Sequence, residues 1–209
     1  MKTLLFDVCH TLYQANTTYD FLAFYFADDA RFAGLMKKRR SLWARLLARL
    51  TGHDPYRQKA IAYLRGEPEE QLQARAKSFV KTLVPIGPTQ SMLREAQANG
   101  DRVVLVSASL DLVVSEVAAE LGVNEYHASK LAFANGVCQG HLLLDLLGNK
   151  TSVVNRSKGA NPALMVSDNF SDAGCIDLVD EFHPVYRRGD AKAQRFWQSK
   201  RVASAICYE

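Results

Sequence analysis

Short apolar runs alternate with stretches of helical periodicity along most of this chain, and that alternation limits it to few folds. Beyond residue 88 each run has the length of a buried strand, and the segments between the runs have the length of helices. This pattern predicts an α/β fold in which a parallel sheet carries helices on its faces. We predict strands over 2–7, 102–107, 124–129, 163–167 and 181–185, and helices over 89–99, 111–121, 149–158 and 172–179.

Two of the strand-like runs lead into carboxylates. Leu4-Leu5-Phe6 is followed by Asp7, and Met165-Val166-Ser167 is followed by Asp168. Open α/β sheets bind ligands at the carboxyl ends of their strands, so we expect these two side chains to meet. Paired carboxylates can hold a magnesium ion, and a carboxylate can also attack a phosphorus atom.

Two further segments complete the pattern. The run from Arg102 ends in Ser107-Ala108-Ser109, and Lys150 opens a helical stretch after Gly148-Asn149. The order Asp, Ser, Lys, Asp-x-x-x-Asp resembles the haloacid dehalogenase superfamily, and in particular its phosphoserine-phosphatase-like branch. The resemblance covers residues 1–12 and most of 100–185, including a hairpin at Asn135-Gly136. It implies a Rossmann-like core with a parallel sheet flanked by helices and a helical cap inserted after the first strand.

The resemblance also implies a role for each motif residue. Asp7 would be the nucleophile that forms an aspartyl-phosphate, and Mg²⁺ would be the cofactor. The metal ligands would be the carboxylates of Asp7 and Asp168 and the backbone carbonyl of Cys9, with Asp172 supporting Asp168 or a metal-bound water. The phosphoryl group would be held by four residues: Thr11, Ser107, Ala108 and Lys150.

The chain departs from the family pattern at Cys9. Active phosphatases of the family read Asp-x-Asp-Gly-Thr, whereas this chain reads Asp7-Val8-Cys9-His10-Thr11. The second Asp is the general acid and base, and a thiol with an ordinary pKa of about 8.5 is a poor base at neutral pH. We therefore expect slow turnover. His10 is a possible substitute because imidazole titrates near neutrality, and the alternative is that it only occupies the turn where the family has Gly.

Composition is that of an ordinary soluble protein, with 209 residues, 48% hydrophobic residues and 23% charged residues. We predict a catalytic core over 1–13 and 87–209 and a helical cap over 14–86. The four cysteines show no C-x-x-C spacing, which favours a reducing cytoplasm over a disulfide framework or a zinc site. The N-terminal apolar run is interrupted by Asp7 too early for a signal peptide, and no run of 18 apolar residues exists.

The predicted cap contains a basic amphipathic segment. Residues 31–51 carry seven basic residues, no acidic ones, and apolar residues at spacings of three and four. We favour a cap helix with solvated charges, and the alternative is contact with an anionic membrane or a lipid-linked phosphate. Nucleic-acid binding is a weaker option, because the net charge is only +4 and no nucleic-acid motif accompanies the segment.

These observations favour a magnesium-dependent phosphohydrolase acting on a small or lipid-linked phosphate monoester. The first alternative is a non-catalytic homologue that binds metal and phosphate but lost its acid/base at Cys9. The second is a dehalogenase-type hydrolase, which the Ser167-Asp168-Asn169-Phe170 sequence slightly favours. Fold alone does not separate the three.

Overall fold

The computed structural model describes residues 1–39, 41, 54–200 and 202–209. Its strands form one sheet in the order β4-β3-β2-β1-β5-β6-β7, in which every neighbouring pair is parallel except the β3–β4 hairpin. The strands are β1 (Thr3–Phe6), β2 (Arg102–Leu110), β3 (Glu125–Ala134), β4 (Val137–Leu144), β5 (Ala163–Ser167), β6 (Glu181–Arg187) and β7 (Ile206–Tyr208). The predicted α/β class and parallel sheet are confirmed.

Helices flank this sheet and fill the segment between β1 and β2. They are α1 (Thr17–Tyr25), α2 (Ala30–Arg39), α3 (Pro55–Ala62), α4 (Glu69–Val80), α5 (Gly87–Ala98), α6 (Asp111–Leu121), α7 (Lys150–Ser157) and α8 (Ala191–Gln198). Among the residues that the structure describes, no helix combines the length and the apolar character needed to cross a membrane.

The central strand β1 fixes where the motif residues lie. It pairs with β2 on one side and β5 on the other, so Phe6 lies opposite both Leu105 and Val166. All four β1 residues are buried, as expected for a parallel strand covered on both faces, and this explains the uninterrupted apolar sequence. Strands β2 and β3 follow on one side of β1, and β5 and β6 follow on the other. The strand order therefore reverses at β1, and α/β sheets bind ligands at such a switch point.

The helical insert packs on the sheet domain through a continuous apolar core. One buried cluster contains Phe21 of α1, Leu72 of α4 and Val114 of α6. The starts of two insert helices are fixed by side-chain caps: Asn16 accepts a hydrogen bond from the backbone N–H of Tyr19, and Asp54 accepts one from that of Tyr56. The described part of the insert thereby packs beside the carboxyl ends of β1 and β2.

Several elements differ from the predictions. The predicted helix at 172–179 is a 3-10 helical segment over Phe170–Leu178, and β3 continues past 129 because its second half pairs with β4. Helix α8 and strand β7 were not predicted. The basic segment at 31–51 is described only through α2 and Ser41, and its remaining part lies outside the described residues.

Candidate active site

Asp7 follows β1 and is held in one orientation from both sides. Its backbone N–H donates to the carbonyl of Val166 at 3.0 Å, which continues the β1–β5 pairing by one residue. Its Oδ1 accepts from the backbone N–H of Val8 at 2.7 Å, and its Oδ2 lies 2.8 Å from the Nζ of Lys150. The carboxylate is 3% exposed and lines a cavity of about 260 Å³.

Lys150 is the first residue of α7, and its side chain is buried between two carboxylates. Its Nζ lies 2.8 Å from Asp7 Oδ2 and 2.7 Å from Asp172 Oδ2. Burial alone would lower the pKa of Lys150, but the charges of Asp7 and Asp172 outweigh it and raise the pKa above its ordinary value. The ammonium therefore remains charged at neutral pH beside the carboxylate at the cavity.

Asp172 lies behind Lys150, away from the cavity. Its Oδ2 accepts from the hydroxyl of Ser167 at 2.6 Å as well as from Lys150, and its side chain is almost fully buried. Burial raises the pKa of Asp172, and the charge of Lys150 opposes that rise. Asp172 is thus placed to orient Lys150, and its predicted support of Asp168 or of a metal-bound water stays a prediction.

Asp168 follows β5 and shares the cavity with Asp7. Thr11 fixes it twice, since the Thr11 hydroxyl accepts from the Asp168 backbone N–H at 3.0 Å and donates to Asp168 Oδ1 at 3.3 Å. The Thr11 side chain is fully buried and does not line the cavity. The structure therefore places Thr11 behind Asp168, and its predicted contact with a phosphoryl group has no support from this position.

The acidic side of the cavity suits a divalent cation. Burial, followed by the charge of Asp7, raises the pKa of Asp168, so the two carboxylates repel each other when no cation lies between them. A bound cation would remove that repulsion. The described residues contain no group of three ionisable or sulfur ligands, so backbone carbonyl and water would have to supply the other positions. Mg²⁺ commonly binds in this way, through one or two carboxylates with retained waters.

The thiol of Cys9 also lies in the cavity wall. Its Sγ is 3.0 Å from the hydroxyl of Thr17 in α1 and 3.0 Å from that of Ser109 in β2, and these two hydroxyls also contact each other. Burial, with a further contribution from the charge of Asp7, raises the pKa of the Cys9 thiol to about 11. At neutral pH the group is a protonated thiol.

His10 occupies a tight turn at the rim of the cavity. Its φ is 45°, a left-handed backbone conformation that glycine adopts more readily than other residues. The side chain is exposed on its outer side and lines the cavity on the other. Partial burial lowers the pKa of His10, while Asp20 and Asp7 oppose the shift, so the imidazole is mainly neutral at pH 7.

Strand β2 supplies the remaining predicted residues. Ser107 is fully buried except for the cavity that it lines, and its Oγ accepts from the backbone N–H of Ser109 at 3.3 Å. Ala108 lines the same cavity. The structure thus gathers Asp7, Cys9 and His10, together with Ser107, Ala108 and Asp168, around one cavity, with Lys150 paired to Asp7 directly behind it.

The helical insert also lines the cavity. That side is closed by Asn16, Thr18, Tyr19, Arg39, Asp54 and Arg57. Arg57, which the sequence did not indicate, is 6% exposed; its guanidinium pairs with Asp145, and its Nη2 donates to the carbonyl of Ala108 at 2.7 Å. No motif marks Arg57, because its partners come from β2 and from the loop after β4.

Comparison with known proteins gives a family match and several similar folds. The family model for haloacid dehalogenase-like hydrolases matches residues 4–175. A phospho-aspartyl intermediate analogue of phosphoserine phosphatase has 18% sequence identity and a TM-score of 0.65, over 100% of this chain and 93% of that one.

Two other solved structures are similar. A protein of unknown function from Bordetella pertussis Tohama I has 19% identity and a TM-score of 0.75, over 99% of this chain and 98% of that chain. Cytosolic 5'-nucleotidase IIIB bound to cytidine has 13% identity and a TM-score of 0.69, over 98% and 81%. No curated protein sequence matches the chain. At these identities the solved structures establish the fold alone.

Proposed function

The chain belongs to the haloacid dehalogenase-like hydrolases, and on that premise we propose that it is a magnesium-dependent phosphate monoesterase acting through Asp7. The observation that carries the proposal is the pairing of Asp7 with buried Lys150 at a cavity also lined by Ser107 and Asp168. A nucleophilic carboxylate must be ionised and fixed in direction. The ammonium of Lys150 stabilises negative charge on Asp7, and the hydrogen bond from the backbone N–H of Val8 fixes the direction of the carboxylate. The substrate is a small or lipid-linked phosphate monoester.

The proposed reaction has two displacements at phosphorus. An oxygen of Asp7 bonds to phosphorus while the bond to the ester oxygen breaks, which gives an aspartyl-phosphate and an alkoxide that takes a proton from solvent. Water then attacks phosphorus and gives up one proton to solvent or to a base, the bond to Asp7 breaks, and phosphate leaves with the carboxylate restored. In both steps Lys150 offsets negative charge beside Asp7, and Ser107 is placed to donate to a phosphoryl oxygen.

Three groups would hold Mg²⁺: the carboxylates of Asp7 and Asp168 and the backbone carbonyl of Cys9. When bound, the ion supplies positive charge that stabilises the phosphoryl oxygens in the transition state. Thr11 prepares the position of Asp168 by holding both its backbone and its carboxylate. A phosphatase of this kind requires the metal, whereas a dehalogenase-type reaction does not, so magnesium dependence separates these two functions.

Proton transfer is the weak part of this site. Cys9 stands where the family has its acid/base, and a thiol with a pKa of about 11 holds its proton at neutral pH, so it cannot activate water. His10 lines the same cavity and is mainly neutral, which makes it a candidate base for the second step. The thiol at Cys9 also favours a second candidate function, a homologue that binds metal and phosphate without turnover.

The test is hydrolysis of an aryl phosphate and a panel of phosphorylated metabolites, each measured with and without Mg²⁺. We expect slow, metal-dependent turnover that falls to background in Asp7→Asn while the protein keeps its thermal midpoint. Asp177→Asn is the matched control, because Asp177 is exposed in the 3-10 segment and lines no part of the cavity. Turnover that survives in Asp7→Asn contradicts the proposal. Absence of turnover with intact binding of Mg²⁺ and phosphate supports the non-catalytic homologue instead.

A further inference from the structure

A second cavity of about 420 Å³ lies between α1 and α2, beside the one that contains Asp7. Small and apolar side chains form most of its wall among the described residues. These are Ala23, Phe26, Ala27, Phe32, Ala33 and Met36. Phe32 is nearly fully buried, Phe26 and Met36 are half-buried, and the three alanines are exposed, so the cavity is a groove open to solvent along one side. We call it the apolar groove.

The apolar groove adjoins the cavity that contains Asp7. Three residues, Asn16, Tyr19 and Arg39, line both. The Arg39 guanidinium lies 3.6 Å from the centroid of the Tyr19 ring, and Asp54 accepts from both side chains, at 2.6 Å from the Tyr19 hydroxyl and 3.1 Å from Arg39 Nε. The junction between the two spaces is therefore a polar cluster in which Arg39 is paired with Asp54.

Polarity falls along this path in the order that an amphiphilic molecule requires. The inner end is lined by Asp7 and Ser107, with Lys150 behind Asp7; the ion pair of Arg39 and Asp54 marks the junction, and beyond it the wall is mostly apolar. The polar residues at the groove's edge are Asn16, Asp20 and Lys37, and Asp20 is already engaged by the backbone N–H of Asn16 at 2.8 Å. Met36 has the adaptable shape that suits contact with an alkyl chain.

We propose that the apolar groove receives the leaving group of the substrate, and that this leaving group is a linear aliphatic alcohol. The substrate is then a phosphate monoester with an alkyl chain, whose phosphate lies at Asp7 and whose chain follows α1 and α2. This inference rests on the proposed function for the position of the phosphate. It adds the chemical class of the group that is released.

The test is a homologous series of monoalkyl phosphates, from ethyl to decyl, assayed below their micelle-forming concentrations. Each methylene buried in an apolar site contributes about 0.8 kcal/mol, which corresponds to about a fourfold change in binding. Because the groove is open on one side, we expect KM to fall about two- to fourfold per methylene and then level off once the groove is filled. We expect kcat to change little along the series.

Filling the groove provides the matched test. Ala33→Phe and Ala23→Phe each place a ring in the groove from an exposed helix position, which leaves the buried core intact. Both variants are expected to abolish the dependence of KM on chain length. Ala74→Phe is the control, because Ala74 is exposed on α4 of the same insert and lines neither cavity, and this variant should keep the full dependence.

Binding of non-hydrolysable alkyl phosphonates, measured by calorimetry, separates failure of this inference from failure of the proposed function. Affinity that rises with chain length and is lost in Ala33→Phe supports the apolar groove even if no phosphate ester is hydrolysed. Turnover or binding that is independent of chain length overturns the inference, whether or not the protein is a phosphatase. Chain-length dependence that persists in both groove-filling variants also overturns it.

Discussion

Replacing Cys9 with Asp should restore the acid/base group that the site lacks. Burial and the charge of Asp7 raise the pKa of the Cys9 thiol to about 11, so at pH 7 the group keeps its proton and is a poor base. A carboxylate at the same position would lie within reach of the Thr17 and Ser109 hydroxyls, which each approach the present sulfur to 3.0 Å. Their hydrogen bonds favour the ionised form, while the charge of Asp7 opposes it.

The expected gain follows from the value of general acid–base catalysis, which is about 10²- to 10⁴-fold. Repulsion from Asp7 consumes part of this gain, so we expect Cys9→Asp to raise kcat toward the lower end, by about 10²-fold, or roughly 2.7 kcal/mol of barrier. The assay is steady-state hydrolysis of an aryl phosphate with Mg²⁺ at pH 7, together with single-turnover decay of the aspartyl-phosphate. Each rate is compared with a matched Asp7→Asn background.

Cys9→Asn is the control for this experiment, because its amide has nearly the shape of Asp but no titrating proton. We expect no increase in kcat for Cys9→Asn. If Cys9→Asp, folded by its thermal midpoint, is no faster than Cys9→Asn, the reasoning is refuted, and another group such as His10 already transfers the proton.

Two further predictions concern the buried charges and the basic segment. Lys150→Met leaves Asp172 buried beside Asp7 without its cation, a change that typically costs about 3–5 kcal/mol and should lower the thermal midpoint by about 6–20 °C. Because the raised pKa of Asp172 would rise further in this variant, the loss of stability should shrink as pH falls from 8 to 5. The control Lys77→Met, at an exposed position, should stay within about 0.5 kcal/mol of wild type, and a wild-type midpoint for Lys150→Met would contradict the ion-pair argument. The segment 31–51 should make the protein co-sediment with anionic but not neutral vesicles at low salt and release it at high salt; no binding to anionic vesicles at low ionic strength would leave the segment as part of the cap only.

The residues that the sequence could place are those fixed by a strand end. Asp7 follows β1 and Asp168 follows β5, and these two buried strands are paired in parallel. Their proximity therefore follows from sheet geometry alone. Thr11 shows the limit of this reasoning. It comes after the strand ends, where the turn at His10 directs its hydroxyl toward Asp168, and no alternation pattern survives a left-handed residue.

Residues of the insert could not be placed because their contacts are distant in sequence. Arg57 is a single arginine on a helix of ordinary composition, and only folding brings it to the Ala108 carbonyl and Asp145. Helix α8 has a local signal, since Asp190 is an N-cap residue and Trp197 is a buried apolar residue. Strand β7 has three residues, too few for a periodicity to be recognised.

The residues that hold Lys150 beside Asp7 are different from the residue at position 9, where the family has its proton-transfer group. Lys150, Asp172 and Ser167 form a buried hydrogen-bonded network, whereas the thiol of Cys9 contacts the hydroxyls of Thr17 and Ser109 in the cavity wall. Exchange of an acid for a thiol at this position therefore leaves the hydrogen bonds that hold Lys150 in place. Affinity for phosphate and rate of turnover should consequently respond to different substitutions, and a protein of this design can bind its substrate fully while hydrolysing it slowly.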